Sequence, residues 1–182
     1  YHNNGYLEAR VGEPVITQEE EWLYIKFIIE EGPRFKVGTV NLEGDLISEK
    51  EVFLDMLAIR NEEYLSRQTL RDDVRRIQDY FAEQGYAFAD IRPNVDKSET
   101  GTRVDITFSV DKGDLVYLSR VAIRGNTRTR DNVIRRELEI AEGGVFNTKG
   151  IRDSTRNLQR LDFFEEVNIT PEPALDPSKM NV

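Results

Sequence analysis

A repeat with a fixed offset is the feature that most constrains the fold of this chain. The segments 30–44 and 111–125 align glycine with glycine twice, Gly32 with Gly113 and Gly44 with Gly125, and the two pairs have the same separation. A period of about 80 residues is too long for the unit of a solenoid and is typical of a small domain. The 182 residues therefore predict an array of small modules rather than one large domain.

Composition limits the chemistry that such an array can perform. The chain is 38% hydrophobic, which is too much for a disordered chain, and its net charge of −9 opposes a general binder of phosphate backbones. It contains no cysteine, so that a disulfide framework and a thiolate metal site are both excluded. No phosphate-binding loop, nucleophile elbow or zinc-ligand spacing occurs in the sequence. We therefore expect no cofactor, no metal and no catalytic residues.

The middle copy of the repeat is the only complete one, and its pattern predicts the order β-α-α-β-β. Ser48 and Glu51 have the spacing of a capping box, Thr129 is the equivalent N-cap in the next copy, and Asp72-Asp73 lies beside arginines on what we interpret as a solvated, ion-paired helix face. The predicted elements are a strand at 37–42, a helix after Ser48, a second helix at 66–84, a strand at 88–95, and an alternating strand at 104–110.

The repeat also predicts the division of the chain. Residues 1–33 match the end of a module, residues 34–113 form a complete one, and residues 114–182 form a third that lacks its last strand. Gly5-Tyr6 matches Gly85-Tyr86, whereas the third copy has Phe163-Phe164 in that place. The short linkers near Gly32 and Gly113 predict limited bending between modules.

Proline predicts the order of strands in each sheet. The last two strands of a module are joined by short turns, at Glu19-Glu20-Glu21 and at 98–101, and pair as hairpins. Pro14, Pro93 and Pro171 all fall in the second strand, and proline favours a sheet edge because it cannot donate to the ladder. We therefore predict an α+β fold in which each module has a three-stranded mixed sheet, with the third strand central and two helices covering one face.

A repeated free edge predicts a binding mode. Edge strands present backbone groups that can pair with an incoming extended chain, which is β-augmentation, although such an edge can equally be a protected one. The predicted client-binding edges are Leu7, Glu8, Ala9, Arg10 and Val11 in the first module, Ala89, Asp90, Ile91 and Arg92 in the second, and Val167, Asn168 and Ile169 in the third.

The third module contains a specific string of residues. It reads R-V-A-I-R-G-N-T-R-T-R-D-N-V-I-R-R-E-L at 120–138, E-G-G-V-F-N at 142–147, and S-T-R-N-L-Q-R-L-D-F-F-E-E-V at 154–167. This string resembles the last POTRA (polypeptide-transport-associated) domain of the bacterial factors that assemble outer-membrane β-barrels. The middle module resembles the preceding POTRA domain, with its Gly-Tyr pair at 85–86, so that the resemblance covers the end of the third domain of that family's array, the fourth, and most of the fifth.

The resemblance implies a periplasmic scaffold rather than an enzyme. Such domains stand before a membrane barrel, receive unfolded outer-membrane proteins partly by edge-strand pairing, and dock accessory lipoproteins. The motif segment implicated in lipoprotein docking corresponds to Arg135, Arg136 and Glu142. Nucleic acid is not an expected partner.

Two alternatives remain open at this point. The array could belong to another POTRA system, in two-partner secretion, autotransporter translocation or organellar import. A KH-like nucleic-acid module shares part of the β-α-α-β-β order, but KH domains need a G-x-x-G loop between their helices, and residues 59–63 contain no glycine and two glutamates.

Overall fold

The computed structural model describes residues 1–19, 22–98 and 101–182. The two predicted turns at Glu19-Glu20-Glu21 and 98–101 fall partly outside the described residues. Two compact units are formed. The first comprises Tyr1–Gly44, Ser48–Arg76 and Arg92–Ser109, and the second comprises Asp45–Ile47, Ile77–Ile91 and Val110–Val182.

The N-terminal segment consists of short paired strands. After a 3-10 turn at His2–Asn4 come β1 (Arg10–Val11), β2 (Val15–Glu19), β3 (Trp22–Lys26) and β4 (Ile29–Glu30). Strands β2 and β3 form an antiparallel pair, and β1 pairs antiparallel with β4 over two residues. This segment therefore has the hairpin that the sequence predicts, in two short ladders.

The middle segment has the predicted β-α-α-β-β order. The elements are β5 (Lys36–Gly44), α1 (Lys50–Met56), a 3-10 turn (Ala58–Asn61), α2 (Arg67–Glu83), β6 (Asp90–Lys97) and β7 (Arg103–Asp111). Its three-stranded sheet has the order β5-β7-β6, so the last strand is central and the second strand is at the edge, as the position of Pro93 predicts.

Hydrophobic periodicity explains why these elements form. Strand β7 alternates strictly, with one set of side chains buried and the other set polar and partly exposed. Helix α2 buries residues at helical spacing, so that each of the two elements has one buried face. The buried side chains are Val104, Ile106, Phe108 and Val110 on β7, and Leu70, Ile77 and Phe81 on α2.

The C-terminal segment forms a second three-stranded mixed sheet. It contains β8 (Tyr117–Arg120), α3 (Asp131–Arg135), α4 (Thr148–Arg160), β9 (Glu172–Pro173) and β10 (Lys179–Asn181). The sheet order is β8-β10-β9, with β10 parallel to β8 and antiparallel to β9. Strand β10 is therefore a third strand of this sheet, whereas the sequence analysis expected residues 114–182 to lack their last strand. The prediction of tandem modules with three-stranded mixed sheets and helices is confirmed.

The two predicted capping residues are not the ones the structure uses. Helix α1 has Glu49 as its N-cap and α3 has Arg130, and neither makes a side-chain capping bond. Each helix begins one residue after the position predicted from Ser48 and Thr129, because Glu49 and Arg130 still have non-helical backbone angles. Both helices begin one residue later than predicted and so keep the offset of the repeat.

The helices of the described residues are amphipathic or short. None of them is long and apolar enough to cross a lipid bilayer.

Candidate interaction surfaces

Strand β6 lies at the edge of its three-stranded sheet. In the order β5-β7-β6 it has one neighbouring strand, β7. Of the four residues predicted as its client-binding edge, Asp90, Ile91 and Arg92 lie in the strand, while Ala89 precedes it in a turn and its N–H donates to the Tyr86 carbonyl (3.3 Å). Side chains alternate along the strand, with Ile91 buried and Arg92 exposed. The edge therefore offers backbone rather than an apolar surface.

The solvated face beside this edge carries a polar network. The Asn94 amide donates to the Ser109 hydroxyl (3.1 Å), which donates to the Glu43 carboxylate (2.9 Å). Further along, the Asp105 carboxylate accepts from the backbone N–H and the hydroxyl of Thr39, both at 2.6 Å. These hydrogen bonds lower the pKa of Asp105 below its usual range. A strand added at the edge would thus extend a sheet on whose outer face these polar side chains already have hydrogen-bond partners.

Only part of the predicted N-terminal edge is a strand. Arg10 and Val11 form β1, paired with Glu30 and Ile29, and both are exposed. Leu7, Glu8 and Ala9 lie before the strand, so the predicted five-residue edge is shortened to two.

Leu7 and Glu8 have a different environment from β1. Together with side chains of the middle module they line a cavity of about 350 Å³, and Glu8 forms an ion pair with Lys97 at the end of β6. The apolar lining residues are Leu7, Leu65, Leu70 and Val95.

The predicted edge of the third module is wrong in position. Val167, Asn168 and Ile169 form no strand; β9 lies at Glu172–Pro173 instead. Strand β9 consists of the two residues that pair with β10, Pro173 with Met180 and Glu172 with Asn181. The segment from 167 to 169 lines a cavity of about 600 Å³ together with residues 120–126.

The predicted docking residues fall into two groups. Arg135 and Glu142 bracket the backbone of Val121: the Arg135 guanidinium donates to the Val121 carbonyl (3.0 Å), and Glu142 accepts from the Val121 N–H (2.9 Å). The two side chains are 3.7 Å apart and half exposed. Arg136 points elsewhere, is 64% exposed, and makes a local ion pair with Glu137 (3.2 Å).

Two buried polar residues were missed by the sequence analysis. Asp73, interpreted as part of a solvated face, is fully buried and accepts from the N–H groups of Ala58 and Ile59, both at 2.9 Å. Ser154, also fully buried, accepts from the Glu139 N–H (2.8 Å). Asp73 and Ser154 occupy equivalent positions of the repeat, as do Ala58 and Glu139, so that comparing the copies would have found the pair.

Comparison with known proteins gives one consistent family. The POTRA profile, described as "surface antigen variable number repeat", matches residues 35–113 and 116–182. The chain is 35% identical over 170 residues to the outer membrane protein assembly factor BamA of Nitratidesulfovibrio vulgaris, covering 91% of this chain and 22% of that protein. It is 30% identical to BamA of Neisseria meningitidis over 187 residues, covering all of this chain and 23% of that one.

The fold comparison agrees with the sequence comparison. The crystal structure of Haemophilus influenzae BamA POTRA3-5 superposes with a TM-score of 0.77 at 22% identity, covering 99% of this chain and 72% of that one. This match supports the fold and leaves the KH-like alternative without support. The chain spans less than a quarter of the length of the two curated relatives.

Proposed function

This chain belongs to the POTRA family, and from that premise we propose that it is a periplasmic segment of an outer-membrane protein assembly factor that receives unfolded β-barrel proteins. The family is non-catalytic, so that its action is binding. The chemistry of the client is an extended chain with backbone groups available for pairing, and the site is the edge of β6, with β1 as a shorter second edge.

The position of β6 at a sheet edge is the observation that carries this proposal. β-Augmentation uses main-chain hydrogen bonds for affinity, and it therefore tolerates many client sequences. Strand β6 spans eight residues, from Asp90 to Lys97, which is long enough for a short strand to pair. Pro93 interrupts the row of N–H donors and keeps pairing short, which suits transient binding.

A second surface, around Arg135, Arg136 and Glu142, is proposed to dock an accessory lipoprotein. Arg136 supplies an exposed charge, whereas Arg135 and Glu142 hold the backbone at Val121 and shape the surface. Rim charges of this kind set association rate and salt dependence more than affinity. Docking that weakens with added salt and with Arg136→Glu is the expected behaviour.

Single-cysteine crosslinking tests the client site, because the chain contains no cysteine of its own. Cysteine replaces Arg92, Asn94 or Asp96, which are two residues apart and lie on one face of β6. The partner is a set of strand peptides from an outer-membrane protein, each with a single cysteine at a different position. Edge pairing predicts disulfides in a single register, in which moving two residues along β6 moves the partner by two residues on the peptide.

The matched control is Asp79→Cys on the exposed side of α2. This variant is expected to crosslink weakly and without register. Equal crosslinking at Asp79 and along β6, or crosslinks on β6 without periodicity, would show that clients bind in another way. The alternative of a POTRA array from another transport system keeps the same edge, and a client peptide from such a system serves as the comparison ligand.

A further inference from the structure

The Gly-Tyr turn makes the same backbone contact in two places. Gly5 accepts a hydrogen bond at its carbonyl from the N–H of Phe35 (2.9 Å), and Gly85 accepts one from the N–H of Val116, also at 2.9 Å. Phe35 and Val116 are both buried and each immediately precedes the first strand of a module, β5 or β8. Each contact lies inside one compact unit.

Neighbouring contacts recur at equivalent positions of the repeat. The Phe35 carbonyl accepts from the Leu65 N–H (3.1 Å), and the Val116 carbonyl accepts from the Phe146 N–H (2.8 Å). Isolated antiparallel bridges join Lys36 to Tyr64 and Tyr117 to Val145. The repeated unit is therefore a backbone arrangement: a turn carbonyl, the amide before a first strand, and the loop between two helices.

Glycine is required at the turn by close packing. Both glycines have positive φ, 90° for Gly5 and 100° for Gly85. A Cβ on Gly5 would lie 2.9 Å from the Phe35 carbonyl oxygen, and a Cβ on Gly85 would overlap Val145 Cγ1 and lie 2.8 Å from Leu115 Cδ2. Real Cβ atoms do not approach other heavy atoms so closely, and the turn has no room for a side chain.

The third copy has a side chain at the turn that follows its second helix. Asp162 follows the end of α4 by two residues, as Gly85 follows the end of α2, and it has a positive φ of 57°. Asp162 is exposed in the described structure and carries its side chain without obstruction. A φ of 57° lies in the left-handed region that aspartate tolerates, whereas the larger φ values of Gly5 and Gly85 lie outside it, so that glycine is required at these two turns by conformation as well as by packing.

Side chains around the two turns differ. At the first, Arg34 lies over the ring of Tyr64 (3.3 Å to the centroid) and its guanidinium donates to the Asn4 carbonyl (2.7 Å). At the second, Glu83 and Arg152 form an ion pair. What the two places share is therefore the backbone contact rather than particular side-chain pairs.

We propose that the Gly-Tyr turn is a repeated coupling site between consecutive modules. The glycine carbonyl accepts a hydrogen bond from the first buried amide of the following module and thereby positions the start of that module's first strand. Gly5 and Gly85 are positioning residues for this contact. The occupant of each site is the segment at Phe35 or Val116 of the same chain. Coupling at these turns limits the bending that the short linkers near Gly32 and Gly113 would otherwise permit.

Amide hydrogen exchange in the intact chain tests the proposal with an internal control. Gly85→Ala is expected to accelerate exchange at the Val116 amide about tenfold or more and to leave the Phe35 amide unchanged. Gly5→Ala is expected to do the reverse. The matched control is Gly125→Ala, since Gly125 also has a positive φ (81°) but open space where a Cβ would lie.

Each outcome decides the question. If Val116 exchanges no faster in Gly85→Ala than in Gly125→Ala, glycine serves only the turn and the proposal is overturned. Should Gly85→Ala fail to fold, the triple variant Gly85→Ala/Leu115→Ala/Val145→Ala removes both side-chain atoms that the new Cβ would meet, at two exposed positions. Restored folding with a protected Val116 amide supports the coupling site, and failure to restore it refutes the close-packing argument.

Discussion

Replacing Asp73 by alanine is the perturbation whose cost can be worked out most directly. The side chain is fully buried, and its carboxylate accepts from two backbone N–H groups, Ala58 and Ile59, and pairs with Arg76. The substitution removes the carboxylate that accepts at the start of the 3-10 turn, Ala58–Asn61, and leaves the N–H groups of Ala58 and Ile59 without this acceptor.

The expected loss follows from the groups left behind. A buried donor without a partner costs about 1–3 kcal/mol, and breaking a buried pair by removing one member costs about 3–5 kcal/mol. Arg76 is half exposed and is rehydrated by solvent, so its share is small. Two donors at about 1–3 kcal/mol each give an expected loss of about 2–6 kcal/mol in the free energy of unfolding for Asp73→Ala, nearer the lower value because the Ala58 N–H is only partly buried.

Urea unfolding, monitored by far-UV circular dichroism, measures this loss of stability. Hydrogen exchange at the Ile59 amide shows whether the loss originates at the Asp73 contact. Asp72→Ala is the matched control, because Asp72 is partly exposed and its ion pair with Arg75 (3.7 Å) is worth about 0–1 kcal/mol. Asp73→Ser should fall between wild type and Asp73→Ala, because Ser154 performs the same contact with a hydroxyl. Equal losses for Asp72→Ala and Asp73→Ala would refute the reasoning.

Three further outcomes are expected. Hydrogen bonds and an ion pair lower the pKa of Asp176 to about 2, so that they stabilise the β9–β10 turn above pH ~4 and this stabilisation is lost as the pH falls from about 4 towards 2. A titration of the Asp176 carboxyl by NMR with a midpoint near 4 would contradict this. Glu142→Ala should expose the Val121 amide to faster exchange, whereas Glu142→Gln keeps an acceptor and should protect it; equal exchange in both would show that the contact contributes nothing. Phe108→Ala should lower the unfolding free energy by about 3–5 kcal/mol in urea, against less than about 0.5 kcal/mol for Thr107→Ala on the solvated face, and similar losses at both positions would contradict the assignment of faces.

The sequence predicted the fold where periodicity is strong. Strand β7 and helix α2 were placed within one residue at each end, because alternation along a strand and spacing at the helical repeat identify the buried face directly. The edge position of β6 followed from Pro93. These are properties of single elements, and single elements are what a local pattern can predict.

The predictions that were wrong depended on contacts between distant residues. Ser48 has the residue type of an N-cap, yet the helix begins after Glu49. Asp73 looked solvated because a charge beside arginines usually is, and its burial depends on the turn at Ala58. Val167 alternates like a strand residue, but the residues that pair with β10 are Glu172 and Pro173. Local propensity could not reveal any of these contacts.

The two copies of the repeat show what this fold requires of its sequence. Aspartate in one copy and serine in the other accept from the equivalent amide, at Ala58 and at Glu139. The equivalent loop position is tyrosine in one copy and valine in the other, yet both make the bridge beside a first strand. Backbone donors and acceptors are thus kept between copies while side chains vary, because each module must satisfy the same buried amides. Gly5 and Gly85 are an exception, because at both turns a Cβ would approach the neighbouring segment too closely, and the residue type is therefore kept together with the backbone contact.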